Sequence, residues 1–164
     1  MNLLGQLLGF LAILTAYFIY RSKDRSNVLK LKLLADVLWA SHSLLIGAFS
    51  GGLITSIAIG REVLFLKDKR RRIYLILFPA LYFLSLLITY QGPLSILPAI
   101  ASTVSTVGFW QQKPAWIRLL AGVSSCLMLG YGLHVHSCAT VANEVITLTS
   151  IVIFLIKNRS AKES

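Results

Sequence analysis

Apolar residues run along this chain in seven blocks, approximately Leu3 to Tyr20, Leu31 to Phe49, Leu53 to Leu66, Ile73 to Tyr90, Leu94 to Trp110, Ile117 to Leu133 and Ala139 to Ile156. A bilayer core is crossed by about 20 apolar residues at 1.5 Å rise each, and shorter blocks suffice where neighbouring helices shield their ends. Two kinds of connection alternate between the blocks. One kind is turn-forming: Ser50-Gly51-Gly52, Gln91-Gly92-Pro93 and His134 to Cys138. The other is basic and is densest at Lys67-Asp68-Lys69-Arg70-Arg71-Arg72. All but one of the 16 Lys and Arg lie on the basic side, the exception being Arg61 inside the third block. The positive-inside rule then puts the basic connections and the C-terminus in the cytoplasm and the N-terminus outside. The third block is short and carries Arg61 and Glu62, but removing it as a span would place Lys67 to Arg72 outside, against that bias.

Composition supports the same class. Of 164 residues 56% are hydrophobic and 13% charged, with a mean hydropathy of +0.75, which predicts an integral membrane protein. A net charge of +10 in a soluble domain would point to nucleic acid. Here the positive residues sit in clusters between apolar blocks, so the expected partner is the lipid bilayer and no nucleic acid. The first block lacks a preceding basic region and is followed by positive charge, the pattern of a retained span rather than a cleaved signal. Cys126 and Cys138 would stand roughly 18 Å apart on one helix, too far to bond each other.

Seven spans with the densest basic loop before the fourth predict an all-α bundle of two parallel triplets joined by a linker helix. The divisions fall at 1–66 for the first triplet, 67–93 for the basic loop and linker, 94–159 for the second triplet and 160–164 for a tail. A shift of 89 positions superposes Phe65, Leu66 and Arg70 on Phe154, Leu155 and Arg159. Three spans followed by one place both triplets in the same orientation, the plan of parallel-repeat transporters.

Polar residues inside the blocks fall on helical stripes, which a mere anchor does not need. Thr140, Asn143, Glu144, Thr147 and Ser150 share one face of the seventh block; Asp36, Trp39, Ser43 and Gly47 share one of the second; Pro98, Ala101, Ser102 and Ser105 share one of the fifth. Small-residue stripes such as Gly5, Gly9, Ala12 and Ala16 are read as close helix packing. Four ionisable residues lie within blocks: Asp36, Arg61, Glu62 and Glu144. Asp36 and Arg61 stand at similar depth and are expected to form an ion pair, with Glu62 pointing elsewhere. Glu144 has no evident basic partner and is either a proton-coupling or cation-binding group, or a protonated acid that bonds another helix. His42 is either a proton relay or a satisfied core histidine. His134, His136 and Cys138 lack further ligands, so no metal and no cofactor is expected. No phosphate loop, nucleophile elbow or zinc-protease motif occurs, and the chain is not expected to be an enzyme.

The residues from Gly5 to Arg21, His42-Ser43-Leu44-Leu45-Ile46-Gly47, Arg61, Leu97-Pro98, Val104-Ser105-Thr106, Arg118, Ser125-Cys126 and Glu144 together resemble the YgjV family of bacterial inner-membrane proteins. The resemblance implies the cytoplasmic membrane of a bacterium and similarity to the SWEET and PQ-loop group of small transporters. Members of that group use prolines in the first helix of each triplet as flexing points. This chain has Pro98 in its fifth block, none in its first, and no Pro-Gln pair. Their sugar pockets look to Asn on the third helix of each triplet, which Asn143 could match, whereas the third block offers only Thr55 and Ser56. The reading is a carrier of a small polar solute, with Asp36, Trp39, His42, Ser102, Ser105, Asn143, Glu144 and Thr147 as its binding residues. The alternative is a non-transporting accessory or scaffold protein, and homo-oligomerisation stays open under either.

Overall fold

A computed structural model of the chain describes residues 3–45, 49–67, 71–90, 92–134 and 138–163. Among them stand seven α-helices: α1 Leu3–Ile19, α2 Arg25–Leu45, α3 Phe49–Leu66, α4 Tyr74–Thr89, α5 Ile96–Trp110, α6 Pro114–His134 and α7 Cys138–Glu163. A 3-10 turn, Pro93–Ser95, leads into α5. The centre of the basic run, Gly47, His136 and the side chains of Ser50 and Cys138 lie outside the described residues. Three stretches are long and apolar enough to cross a membrane, namely Pro93–Trp110, Pro114–His134 and Ala139–Ile156. Shorter apolar stretches, Leu7–Ile19 and Tyr74–Thr89, belong to α1 and α4.

Several helix ends depart from the sequence expectation, each for a local reason. α2 begins six residues early because the Asp24 carboxylate accepts the Asn27 N–H at 3.0 Å, an N-cap that starts the helix before its apolar block. Lys30 and Lys32 are therefore helical rather than part of a loop. Ser50-Gly51-Gly52, expected as a turn, is the start of α3. A Cβ at Gly52 would lie 3.2 Å from Leu44 Cδ2, so the bare backbone lets α3 close on α2 there. The true turn before α5 is at Gly92, whose φ of 136° suits glycine. Pro98, expected as a flexing point within a span, sits in the first turn of α5, where the backbone N–H needs no helical acceptor. The proline inside a helix is Pro79 of α4. Pro114 opens α6, a position its fixed φ favours. α7 runs on through the expected tail.

The helices pack in chain order, each against the next, and α7 returns to α1. Short connections make successive neighbours antiparallel, so the C-terminal ends of α1, α3 and α5 lie at one end, here the basic end. The ring is inside out by the standard of a water-soluble bundle. Leu7, Phe10, Leu84, Leu87, Ile88 and Ile156 are exposed, while Asp36, Arg61, Glu62, Arg118 and Glu144 are buried. That inversion suits an apolar solvent around the ring and polar groups within it.

Four interfaces close on a glycine. Besides Gly52, a Cβ would meet His42 Nδ1 at 2.9 Å from Gly9, Leu120 Cβ at 3.0 Å from Gly108, and Thr140 Cγ2 at 3.0 Å from Gly132. These four contacts join α1 to α2, α2 to α3, α5 to α6 and α6 to α7. α4, which contains no glycine, packs against α3 and α5.

The basic end is sealed by an apolar core of Ile19, Leu29, Phe65, Phe109, Ile117 and Ile151 with their neighbours. Two arginines stitch the halves over it. Arg25, at the start of α2, donates to the carbonyls of Gln111 at 2.8 Å and Phe109 at 3.0 Å. Arg118, near the start of α6, donates to the carbonyl of Tyr20 at 2.9 Å and to that of Ser22, and its guanidinium lies 3.4 Å from the centroid of the Phe154 ring. The shift of 89 positions carries Tyr20 onto Phe109 and Ser22 onto Gln111. Each half thus caps the open carbonyls at the C-terminus of the other half's first helix.

Replacing Gly132 by Ala should destabilise the purified protein by about 1–3 kcal/mol through overpacking on Thr140. Gly130→Ala, where a Cβ meets nothing within 4 Å, should be neutral or stabilising by up to about 1 kcal/mol. Thermal unfolding of both variants in one detergent checks the contrast.

Candidate functional site

The ring encloses a cavity of about 530 Å³ to which all seven helices contribute. Its lining reaches Thr89, Ser95, Tyr131 and Ala139 at the end away from the basic turns. In the other direction it stops at Tyr20, Lys32, Arg61 and Ala121, where the apolar core begins. The apolar core closes the space at the basic end of the bundle.

Asp36, Trp39, His42, Ser102, Ser105, Asn143, Glu144 and Thr147 all line this cavity. Helical spacing brings them there: one face of α2, one of α5 and one of α7 turn inward together. His42 is held by Nδ1–H donating to the Gly5 carbonyl at 2.7 Å, which puts its proton on Nδ1. Trp39 meets the His42 ring edge to face at 5.4 Å between centroids. On the far wall Asn143 Nδ2 donates to Glu144 Oε1 at 2.9 Å, and Ser125 also bonds the Glu144 carboxyl. Asn143 Oδ1 is buried without a donor. Ser105 donates to Ser124 Oγ at 2.8 Å, which donates to the Ala101 carbonyl at 2.9 Å, so this pair ties α5 to α6 as well as facing the cavity.

The expected direct ion pair between Asp36 and Arg61 does not form. Lys32, one turn earlier on the same helix, takes Asp36 Oδ1, and Arg61 takes Glu62 Oε1. Spacing of i, i+4 makes the first pair almost unavoidable once Lys32 is helical. The long, flexible arginine makes the second, although adjacent residues start on different sides of a helix, so Glu62 does not point away as expected. Arg61 also crosses to α5, donating to Thr106 Oγ1 at 2.9 Å and the Ser102 carbonyl at 3.3 Å. Its guanidinium lies 5.2 Å from the centroid of the Phe109 ring. Lys32–Asp36 and Arg61–Glu62 are therefore two separate ion pairs, both at the closed end of the cavity.

Sequence reasoning missed Lys32, Thr55, Ser124 and Tyr131 among the lining residues. Lys32 had a readable signal in its spacing from Asp36. Ser124 had none, since it belongs to none of the polar stripes read from the sequence.

Removing Arg61 should be costly because Glu62, fully buried, would be left without its cation. Arg61→Met is expected to destabilise by about 3–5 kcal/mol, and Arg61→Met with Glu62→Met to recover much of that loss. A double variant no more stable than the single one in thermal unfolding would contradict the pairing.

A family model described as Imp-YgjV, bacterial inner membrane protein, matches residues 3–162. No curated protein and no solved structure matches the chain.

Proposed function

This chain belongs to the Imp-YgjV family of bacterial inner membrane proteins, and we propose that in that membrane it is a carrier moving a small polar solute by alternating access. The observation that carries the reading is the cavity of about 530 Å³, lined by polar as well as apolar side chains and closed at the basic end by an apolar core. A scaffold has no need of a solvent-sized space lined by Asp36, Trp39, His42, Asn143, Glu144 and Thr147. The volume lies in the range of small-molecule pockets.

The mechanism follows from a three-plus-one-plus-three division, in which α1–α3 and α5–α7 rock as units about the cavity with α4 as linker. Glycine contacts at the neighbouring interfaces within each triplet support treating each triplet as a body. The charge bias places the basic end in the cytoplasm, so the cavity faces the periplasm in this conformation. Solute entering from that side meets the α2 face of one triplet and the α5 and α7 faces of the other. Separation of Arg25 and Arg118 from their carbonyls then opens the inner end as the outer one closes.

Purified protein should gain stability from its solute, by roughly 2.7 kcal/mol at about 100 times the dissociation constant. Thermal unfolding against sugars, amino acids, polyamines and nucleosides is the test. Glu144→Gln, which keeps the shape of the side chain, should fold and lose the shift. No shift across the panel at millimolar concentration would favour an accessory protein, to be pursued by native co-purification.

The inner closure has its own test. In a Cys126→Ser, Cys138→Ser background, Ser102→Cys should react with an impermeant thiol reagent from the open end only. Adding Arg25→Ala and Arg118→Ala should admit the reagent from the basic end too. Unchanged labelling from that end would mean that the two arginines do not hold it shut.

A further inference from the structure

The charges around the cavity do not balance. Lys32 is matched by Asp36 and Arg61 by Glu62. Arg61 is further committed to Thr106 Oγ1 at 2.9 Å and the Ser102 carbonyl at 3.3 Å. Arg118, another buried cation, caps the Tyr20 and Ser22 carbonyls and does not line the cavity. Glu144 is the carboxyl left over. It is buried, lines the cavity and makes no ion pair among the described residues. Beside it stands a neutral amide, Asn143 Nδ2 donating to Oε1 at 2.9 Å.

Two other parts of the lining suit a positive charge. His42 turns its Nδ1 edge to α1, donating to the Gly5 carbonyl at 2.7 Å and lying 2.9 Å from a Cβ placed on Gly9. In the neutral ring the Nε2 lone pair is then an acceptor on the edge away from α1. Trp39 and Tyr131 add aromatic rings to the wall, whose faces attract cations.

The opposite wall differs. The shift of 89 positions carries Ile54 onto Asn143, Thr55 onto Glu144 and Ala58 onto Thr147, and all six residues line the cavity. α3 packs on α2, α4 and α5, whereas α7 packs on α6 and α1, so the two faces stand across the space from each other. Where α7 offers a carboxyl and an amide, α3 offers one hydroxyl and two apolar side chains, and Leu86 of α4 and Ala99 of α5 extend the apolar part.

We propose that the solute of this cavity is a small monoamine, its ammonium held by Glu144 and its less polar body lying towards α3, α4 and α5. This names the solute class of the carrier proposed above and rests on that reading. A protonated amine restores the charge balance and brings N–H donors to a site whose own cations are committed. A second ammonium on the solute finds no carboxylate that Lys32 or Arg61 has not already matched, and an acidic solute meets Glu144 with no spare cation. A sugar leaves Glu144 unmatched. A metal ion fits less well, since among the described residues no group of three or more His, Cys, Asp or Glu gathers to hold one.

Trp39 reports on the cavity alone once Trp110 and Trp116, which do not line it, are replaced by Phe. In that purified background, fluorescence titration at neutral pH compares phenethylamine, 2-phenylethanol and 3-phenylpropionate, three probes of similar size that differ in charge. The amine should give a saturable change with a dissociation constant at least about 10-fold below that of either other probe. Glu144→Gln should abolish that preference. Equal binding of amine and alcohol, as a Glu144 that holds its own proton would give, overturns the proposal. So do tighter binding of 3-phenylpropionate, no saturable response to the amine at millimolar concentration, and a preference that survives Glu144→Gln. Should Glu144→Gln fail to fold, the ranking of the three probes decides alone. Amine binding without amine uptake into proteoliposomes would sink the carrier reading and leave the site, whereas stabilisation by neutral solutes alone would overturn the monoamine and leave the carrier.

Discussion

A charge inside a bilayer must be answered by another part of the same protein, because no water is there to answer it. An unanswered Asp, Lys or Arg at a helix centre costs about 2.5–3.5 kcal/mol on insertion scales. That constraint organises this bundle. Each buried ionic group meets a group on its own or another helix: Asp36 meets Lys32, Glu62 meets Arg61, Arg61 continues to Thr106, Arg118 meets the Tyr20 and Ser22 carbonyls, and Glu144 meets Asn143. The leucines and phenylalanines left over turn outward. The ring and its cavity are two aspects of one requirement, since a packed apolar centre would have nowhere to put these groups.

How much of this was legible depends on what kind of signal each residue left. Asp36, Trp39 and His42 on α2, and Asn143, Glu144 and Thr147 on α7, stand out because helical periodicity is written in the order of residues, and all six reach the cavity. Helix starts were less visible. The apolar block of α2 opens at Leu31, but the physical start is set by Asp24 as a cap, a polar event in the middle of a basic stretch. Misplacing that start hid Lys32 among loop charges and so mispaired Asp36. Arg118 was hidden in the same way, counted with a basic connection although it is buried and spans to Tyr20 and Ser22. The direction of Glu62 could not be read at all, because it depends on how far a flexible neighbour bends. Gly52 misled for the opposite reason: glycine marks both turns and close helix contacts, and only the position of Leu44 distinguishes them.

The two ends of the bundle are held differently. At the basic end an apolar core, two arginine caps and the Ser150 hydroxyl bonded to the Tyr17 carbonyl at 2.6 Å join the halves. Towards the other end the lining residues of α3, α5, α6 and α7 border the cavity.

The crosswise arrangement of Arg25 and Arg118 has a mechanical meaning. Each guanidinium belongs to one half and each pair of carbonyls to the other, so the same small rotation that withdraws one from its acceptors withdraws its counterpart. Neither can let go while the other holds. On the carrier reading proposed above, the two arginines would act as one latch, released together or not at all.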